Sequence, residues 1–319
     1  MTGSFMKNIS IMILIYSKDL DDFVNNVIDC LDVSFVRIGE SDKVTIESMD
    51  FSNDESSYIL KTDYLRNIEL EKIQSIWFNG GCISSQSSSY EDKCYEVLTD
   101  AYVLQKSIKK IGRRIADFET NRLDIMLEAR KQGLKIPHTL ITGSKEKLKS
   151  FYDCFASKNG IVSKRILDTL YYQDDEFRYN FNLTFQISDE ILDKTPEEFA
   201  ISFFQERITA DFEIRVIYID GTFYSTAMYI FDHVVDYRTT FREMNNIRMV
   251  PFKLPIEIEE KLEKVYKKFK LNYGSADLMY SKGDYYFLEI NPTGQISFIN
   301  NVCNYNIESK VAEILKNEK

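Results

Sequence analysis

The chain has 319 residues, a hydrophobic fraction of 44% and a formal net charge of −10, with a sequence pI of about 5.0. That length allows two or three modest domains with real cores, and the acidity argues against general binding to phosphate backbones. The five cysteines, Cys30, Cys82, Cys94, Cys154 and Cys303, form no CxxC pair, and the only histidines are His138 and His233. This pattern fits a reducing, cytoplasmic setting and leaves little material for a structural zinc site or a histidine-based triad.

Residues 9–17 (ISIMILIYS) form an apolar run far too short to cross a membrane and read as a buried first strand. Phe23, Val27 and Leu31 then recur at helical spacing behind acidic residues that suit a helix N-terminus. VSFVRI, KVTIESMDF, SYILKT and IQSIWF read as further strands, and 90–111 as one long amphipathic helix. This first third predicts a small α/β domain with a βα repeat. Beyond it come a helix stopping at Gly133, a strand opened by Pro137, a helix over SKEKLKSFYDCFA and a strand in GIVSKRIL. Hairpins are expected over 177–187, around Asp220-Gly221 and around Gly283-Asp284, with helices over IEIEEKLEKVYKKFKL and about 306–315. The segments after residue 115 therefore predict α+β lobes rather than one doubly wound sheet.

Three stretches carry chemistry. In YYFLEINPTGQ, Glu289 and Asn291 lie two apart on a strand and so share a face. From this stretch alone they read as an ordinary polar strand end running into a turn at Pro292 and Gly294. Asp277, one strand earlier in GSADLMYS, would sit opposite Glu289 or Asn291, which gathers three oxygen donors of the kind a hard cation takes with phosphate. Lys164 in GIVSKRIL is either a snorkelling strand lysine or a mobile charge for phosphate. Glu213 and Arg215 in EIRVIYIDG share a strand face and by themselves read as a salt bridge.

In the order NRL, IVSK, FQERI, EIRVIYIDG, GSADLMY, FLEINPTGQ, the chain resembles the ATP-grasp superfamily from about residue 117 to its end. Within it, the chain looks most like the ligases that make graspetides, peptides with omega-ester or omega-amide links, in their grasp-with-spasm branch. The softer features behind that placement are NVIDCL, SIWF, GLKIPHTLIT, VDYRTTF and NIRMVPFKLP. The resemblance implies an ATP-grasp fold, with an N-terminal α/β domain over 1–115, a central lobe over 116–204 and a C-terminal lobe over 205–319 that together clasp ATP. It implies that Lys164 and Arg215 face the nucleotide phosphates, that Gln205, Glu206, Arg207 and Ile208 form the adenine linker, and that Glu213 takes the ribose. Asp277, Glu289 and Asn291 would bind magnesium. Arg122 stands where the family commonly has an ATP-contacting lysine, and Asn79-Gly80-Gly81 where relatives usually carry arginines.

By the same resemblance, an Asp or Glu side chain of a ribosomal precursor peptide, bearing a leader and an acidic core, is activated as an acyl phosphate. A Thr or Ser hydroxyl or a Lys amine of that peptide then attacks it. Arg238 and Arg248 are the arginines expected to grip the acceptor, since a guanidinium pairs bidentately with a carboxylate, and 177–183 is the expected leader dock. Family members often form homodimers. Alternatives that share every ATP motif are a ligase adding free amino acids to a protein tail or small molecule, and a small-molecule kinase.

Overall fold

The computed structural model describes residues 12–53, 55–64, 67–80, 89–105, 108–112, 122–165, 171–173, 178–180, 184–231, 247–294 and 296–317. The N-terminal part is built from β1 (Met12–Ser17), α1 (Asp22–Asp29), β2 (Ser34–Ile38), β3 (Val44–Phe51), β4 (Ser56–Thr62), β5 (Asn67–Glu69), β6 (Ile73–Asn79), α2 (Ser89–Gln105) and β7 (Lys109–Ile111). Strands β2-β1-β6-β7 make an all-parallel sheet, as the βα reading requires, and β3-β4-β5 make an antiparallel meander. Asp21 caps α1 by accepting from Val24 N at 3.1 Å, and Phe23, Val24 and Val27 bury the helix face.

One expectation is corrected here. The helix expected over 90–111 ends at Gln105, and Lys109–Ile111 is a strand. Ile111 pairs with Trp77 and is fully buried, so docking on the edge of β6 outweighs the helical preference of the segment.

The rest of the chain runs through α3 (Arg122–Lys131), β8 (Thr139–Ser144), α4 (Lys145–Ala156), β9 (Ile161–Lys164), β10 (Tyr171–Gln173), β11 (Arg178–Asn180), β12 (Phe185–Gln186), α5 (Asp189–Lys194) and β13 (Glu198–Glu206). It continues with β14 (Phe212–Ile219), β15 (Thr222–Ile230), β16 (Ile247–Phe252), α6 (Ile256–Lys268), β17 (Tyr273–Ser281), β18 (Asp284–Asn291), α7 (Ser297–Cys303) and α8 (Ile307–Lys316). Two antiparallel sheets result, β12-β9-β13-β8 and β16-β15-β14-β17-β18, beside the β10-β11 pair. Helix α4 covers the first through Leu148, Phe151 and Phe155 against Ile161 and Phe204. Helix α6 covers one face of the second with Ile258, Leu262, Val265 and Tyr266. Neither α5 nor α7 was expected; each is a short helix with little periodicity to read.

The hairpin turns follow their backbone chemistry. Asp220 and Gly221 have φ of 44° and 93°, and Lys282 and Gly283 have 51° and 92°, the two positive angles that suit the twist of a two-residue hairpin. The second turn is therefore Lys282-Gly283, closed by the Ser281–Asp284 pair, one residue earlier than expected.

Candidate nucleotide and metal site

The sheet β16-β15-β14-β17-β18 has two faces with different fates. Ile214, Val216, Ala276, Leu278 and Phe287 turn toward α6 and form core. The opposite face carries Arg215, Asp277 and Glu289 in register, Arg215 opposite Asp277 and Asp277 opposite Glu289. Neighbouring strands lie about 4.8 Å apart, so three charged side chains stand in one row. Asn291 falls two pairs along, opposite Ser275, and so on the same face. The ladder between β17 and β18 shifts register at Asp277/Leu278, leaving Leu288 as the extra residue. That bulge lets Phe287 and Ile290 both face the core while Glu289 and Asn291 face the site.

The row is held by charge. Arg215 Nε lies 2.7 Å from Asp277 Oδ1, and its Nη1 donates to Ser275 Oγ at 3.2 Å. Arg122, the first residue of α3, places Nη2 at 3.0 Å from Glu289 Oε2 and donates from Nη1 to the carbonyl of Arg165 at 3.0 Å. Asn291 Nδ2 reaches Glu289 Oε1 at 3.5 Å. Lys164 comes from the other sheet, at the end of β9. Burial holds its ammonium below the ordinary lysine value, while Glu289, Glu213 and Asp277 pull the other way and Arg122 adds to the depression. Burial also pushes the Glu289 carboxyl up, but Arg122, Lys164, Arg215 and the Asn291 hydrogen bond together carry it below the ordinary glutamate value. The six groups expected to handle phosphate and metal from Arg122 through Asn291 thus meet across the cleft between two sheets.

The linker residues are placed differently. Gln205 is buried and donates to Thr139 Oγ1 at 3.0 Å and Met126 Sδ at 3.5 Å. Glu206 accepts from His138 N at 2.9 Å, and Arg207 donates to Gln186 Oε1 at 3.1 Å. These side chains tie β13 to its own sheet, and half-buried Ile208 begins the crossing to β14. Glu213 is on the site face, two residues before Arg215. Arg248 is not brought to the row. It pairs with Tyr229 on the edge strand β16, is exposed, and leaves the sheet on the α6 side. Arg238 lies outside the described residues, as does most of 177–183, of which Arg178–Asn180 forms β11.

Sequence reasoning missed two contacts. The Arg122–Glu289 pair joins residues from distant elements, so no local pattern announces it. Asn79, at the end of β6, donates to Asp21 Oδ2 at 2.9 Å and accepts from Tyr273 OH at 2.7 Å, which ties the N-terminal sheet to the start of β17. Gly80 beside it stands with φ of 81°, and Gly81 lies outside the described residues.

The same arrangement of elements recurs in solved structures. The macrocyclase MdnC of Microcystis aeruginosa MRC, bound with precursor peptide MdnA, superposes with a TM-score of 0.76 at 21% identity, over 97% of this chain and 100% of that one. A RiPP-associated ATP-grasp ligase of Chryseobacterium gregarium, in complex with ADP and a leader and core peptide, gives 0.76 at 20% identity over 96% of both chains. This chain has the ATP-grasp fold. The ATP-grasp ligase PsnB, complexed with minimal precursor, Mg and ADP, is a further structure of this fold, with a TM-score of 0.68 at 16% identity over 97% of this chain and 96% of that one. No family model and no curated protein sequence matches the chain.

Among the described residues no three His, Cys, Asp or Glu side chains cluster; the oxygen donors that share this face on β17 and β18 are those of Asp277, Glu289 and Asn291. The donor set fits magnesium in this ATP-grasp chain. Two carboxylates and an amide oxygen are hard donors, they are adjacent in register, and the fold already sets them against two guanidinium groups.

Proposed function

We propose that this chain is an ATP-dependent, ADP-forming peptide ligase. It would transfer the γ-phosphoryl group of ATP to an Asp or Glu side chain of a ribosomal precursor peptide. A Thr or Ser hydroxyl or a Lys amine of that peptide would then displace phosphate and form an omega-ester or omega-amide link. The observation that carries this reading is the row Arg215–Asp277–Glu289 facing Lys164, set in a fold that spans the whole of a macrocyclase bound with its precursor peptide.

In this reading Asp277, Glu289 and Asn291 hold magnesium, which when bound offsets charge on the phosphates. Lys164 and Arg215 face the phosphates. Arg215 is suited to this because Asp277 and Ser275 fix its guanidinium, so little reorganisation is needed as charge develops. Glu213 takes the ribose and the backbone at Ile208 meets adenine, the Gln205, Glu206 and Arg207 side chains being occupied within their own sheet. No nucleophilic side chain of the chain is required, since the acceptor carboxylate and the attacking group both belong to the peptide. Arg238 remains the candidate for gripping the acceptor; Arg248 faces the wrong side of its sheet for that task. The free Cys30, Cys94, Cys154 and Cys303 suit a reducing cytoplasm, and among the described residues no helix is long and apolar enough to cross a membrane.

The test is intact mass spectrometry of a small peptide encoded beside this protein and co-expressed with it. Loss of one water mass per link with the wild type, and no loss with Glu289→Ala, is the expected result. Fragmentation then locates the rings, and methanolysis separates esters from amides. An unchanged peptide mass while ATP is still bound would remove the peptide-ligase reading for that peptide.

A further inference from the structure

Arg122 touches both sides of the cleft at once. One guanidinium nitrogen donates to the Arg165 carbonyl just beyond β9, and another holds the Glu289 carboxylate on β18. The pair is largely sheltered, with side-chain exposures of 18% and 25%. Helix α3, which carries Arg122, is itself fixed to the C-terminal sheet through Ile125 and Ala129 and to the central sheet through Met126, on which Thr139 and Gln205 converge. The guanidinium is therefore delivered by a rigid element and is not a surface arm folded over by chance.

A metal ion and this guanidinium need the same carboxylate. A divalent cation arriving alone must approach Glu289 against the charge of Arg122 and of Lys164, and it offers the displaced guanidinium no new anion. A cation arriving with nucleotide phosphates brings that anion with it. We infer that Arg122 is a positioning residue that guards Glu289 in the nucleotide-free chain, hands the carboxylate to the metal only when phosphate takes over its guanidinium, and so couples metal binding to nucleotide binding. Asp277 is covered in the same manner by Arg215. Arg122 is the one of the two that also bridges the sheets, so its release frees the cleft as well as the carboxylate.

The inference rests on the nucleotide–metal reading of the site, not on the identity of the acceptor. Its test uses the full chain without peptide, with Mn2+ as the probe and free Mn2+ read by electron paramagnetic resonance. Without nucleotide, Arg122→Gln should bind Mn2+ at least about tenfold more tightly than wild type, because one opposite charge at this distance changes a carboxylate's affinity for a proton by about 1–3 logarithmic units. Adding a non-hydrolysable ATP analogue should tighten Mn2+ binding more in wild type than in the variant, and Glu289→Gln combined with Arg122→Gln should abolish the gain. A merely structural role for Arg122 predicts the reverse, a looser site in the variant. Equal, weaker or undetectable Mn2+ binding by Arg122→Gln would overturn the inference. If far-UV circular dichroism shows that variant unfolded, Arg122→Met, which removes the charge and keeps an apolar stem of similar reach, carries the same expectation. A peptide that is never ligated would leave this result standing, and a failed Mn2+ result would leave ligation standing.

Discussion

Glu289 concentrates the electrostatics of the site in one side chain. Burial alone would raise its pKa, yet three cations and an amide lower it, so in the folded chain it stays ionised further into acid than in the unfolded chain. A carboxyl depressed in this way contributes stability that is fully present above the ordinary glutamate value of about 4.3 and is lost as the pH falls through the folded value. Glu289→Gln removes the titration. Its melting temperature should therefore fall less steeply with pH than the wild type's between about pH 5 and about pH 3, as read by calorimetry on the nucleotide-free chain. Identical slopes would mean that Glu289 is not the group holding this charge balance. The acids and Asn291 are visible in the sequence because strand alternation and a short hairpin bring them together. Arg122 is not visible as their partner, since an ion pair across a cleft leaves no periodic trace.

At the scale of elements, the β17–β18 hairpin places the donors. Its two-residue turn sets the register, and its bulge corrects the phase, so that apolar Phe287 and Ile290 and polar Glu289 and Asn291 separate to opposite faces. The other end of the hairpin depends on Gly274. Its φ is 144°, and a Cβ there would lie 2.6 Å from the Asn291 carbonyl oxygen and 3.1 Å from Pro292 Cα. These are backbone atoms of the neighbouring strand end and cannot move aside as a flexible side chain would. Gly274→Ala should cost about 1–3 kcal/mol in denaturant unfolding and weaken Mg–nucleotide binding by displacing Asn291. Wild-type stability together with wild-type nucleotide affinity would show that the strand end can relax. The apolar alternation of both strands is plain in YGSADLMYS and YYFLEIN. The need for glycine at 274 follows only from the approach of the next strand's backbone.

At the scale of the whole molecule, one core joins the two ends of the chain. Ile13, Ile15 and Trp77 of the N-terminal sheet pack with Ile217, Ile219 and Tyr273 of the C-terminal sheet, and α8 adds Ile307, Val311 and Leu315. Ser75 Oγ donates to the Leu315 carbonyl at 2.8 Å inside this junction. Trp77, the only tryptophan, meets Phe23 edge-on at 5.9 Å and Tyr273 at 6.2 Å, so it reports on the junction directly. Tyr273→Phe deletes the donor to buried Asn79 and leaves that amide oxygen without the tyrosine's hydroxyl. The expected cost is about 1–2 kcal/mol, with a shift in Trp77 emission and a single unfolding transition seen by both fluorescence and circular dichroism. Two separated transitions would show that the N-terminal and C-terminal sheets unfold independently.

Local pattern by itself determined most strands and helices and the oxygen donors on one hairpin face, and the order of the motifs carried the resemblance to the ATP-grasp fold. Periodicity, turn residues and i, i+2 spacing are properties of neighbours in the chain. Only the tertiary structure decided that Lys109–Ile111 is a strand, that Arg122 lies against Glu289, that Arg248 leaves its sheet on the far side, and that Asn79 holds Tyr273. Each depends on which element packs beside which, and burial and charge pairing between distant segments set that outcome against weak local preferences.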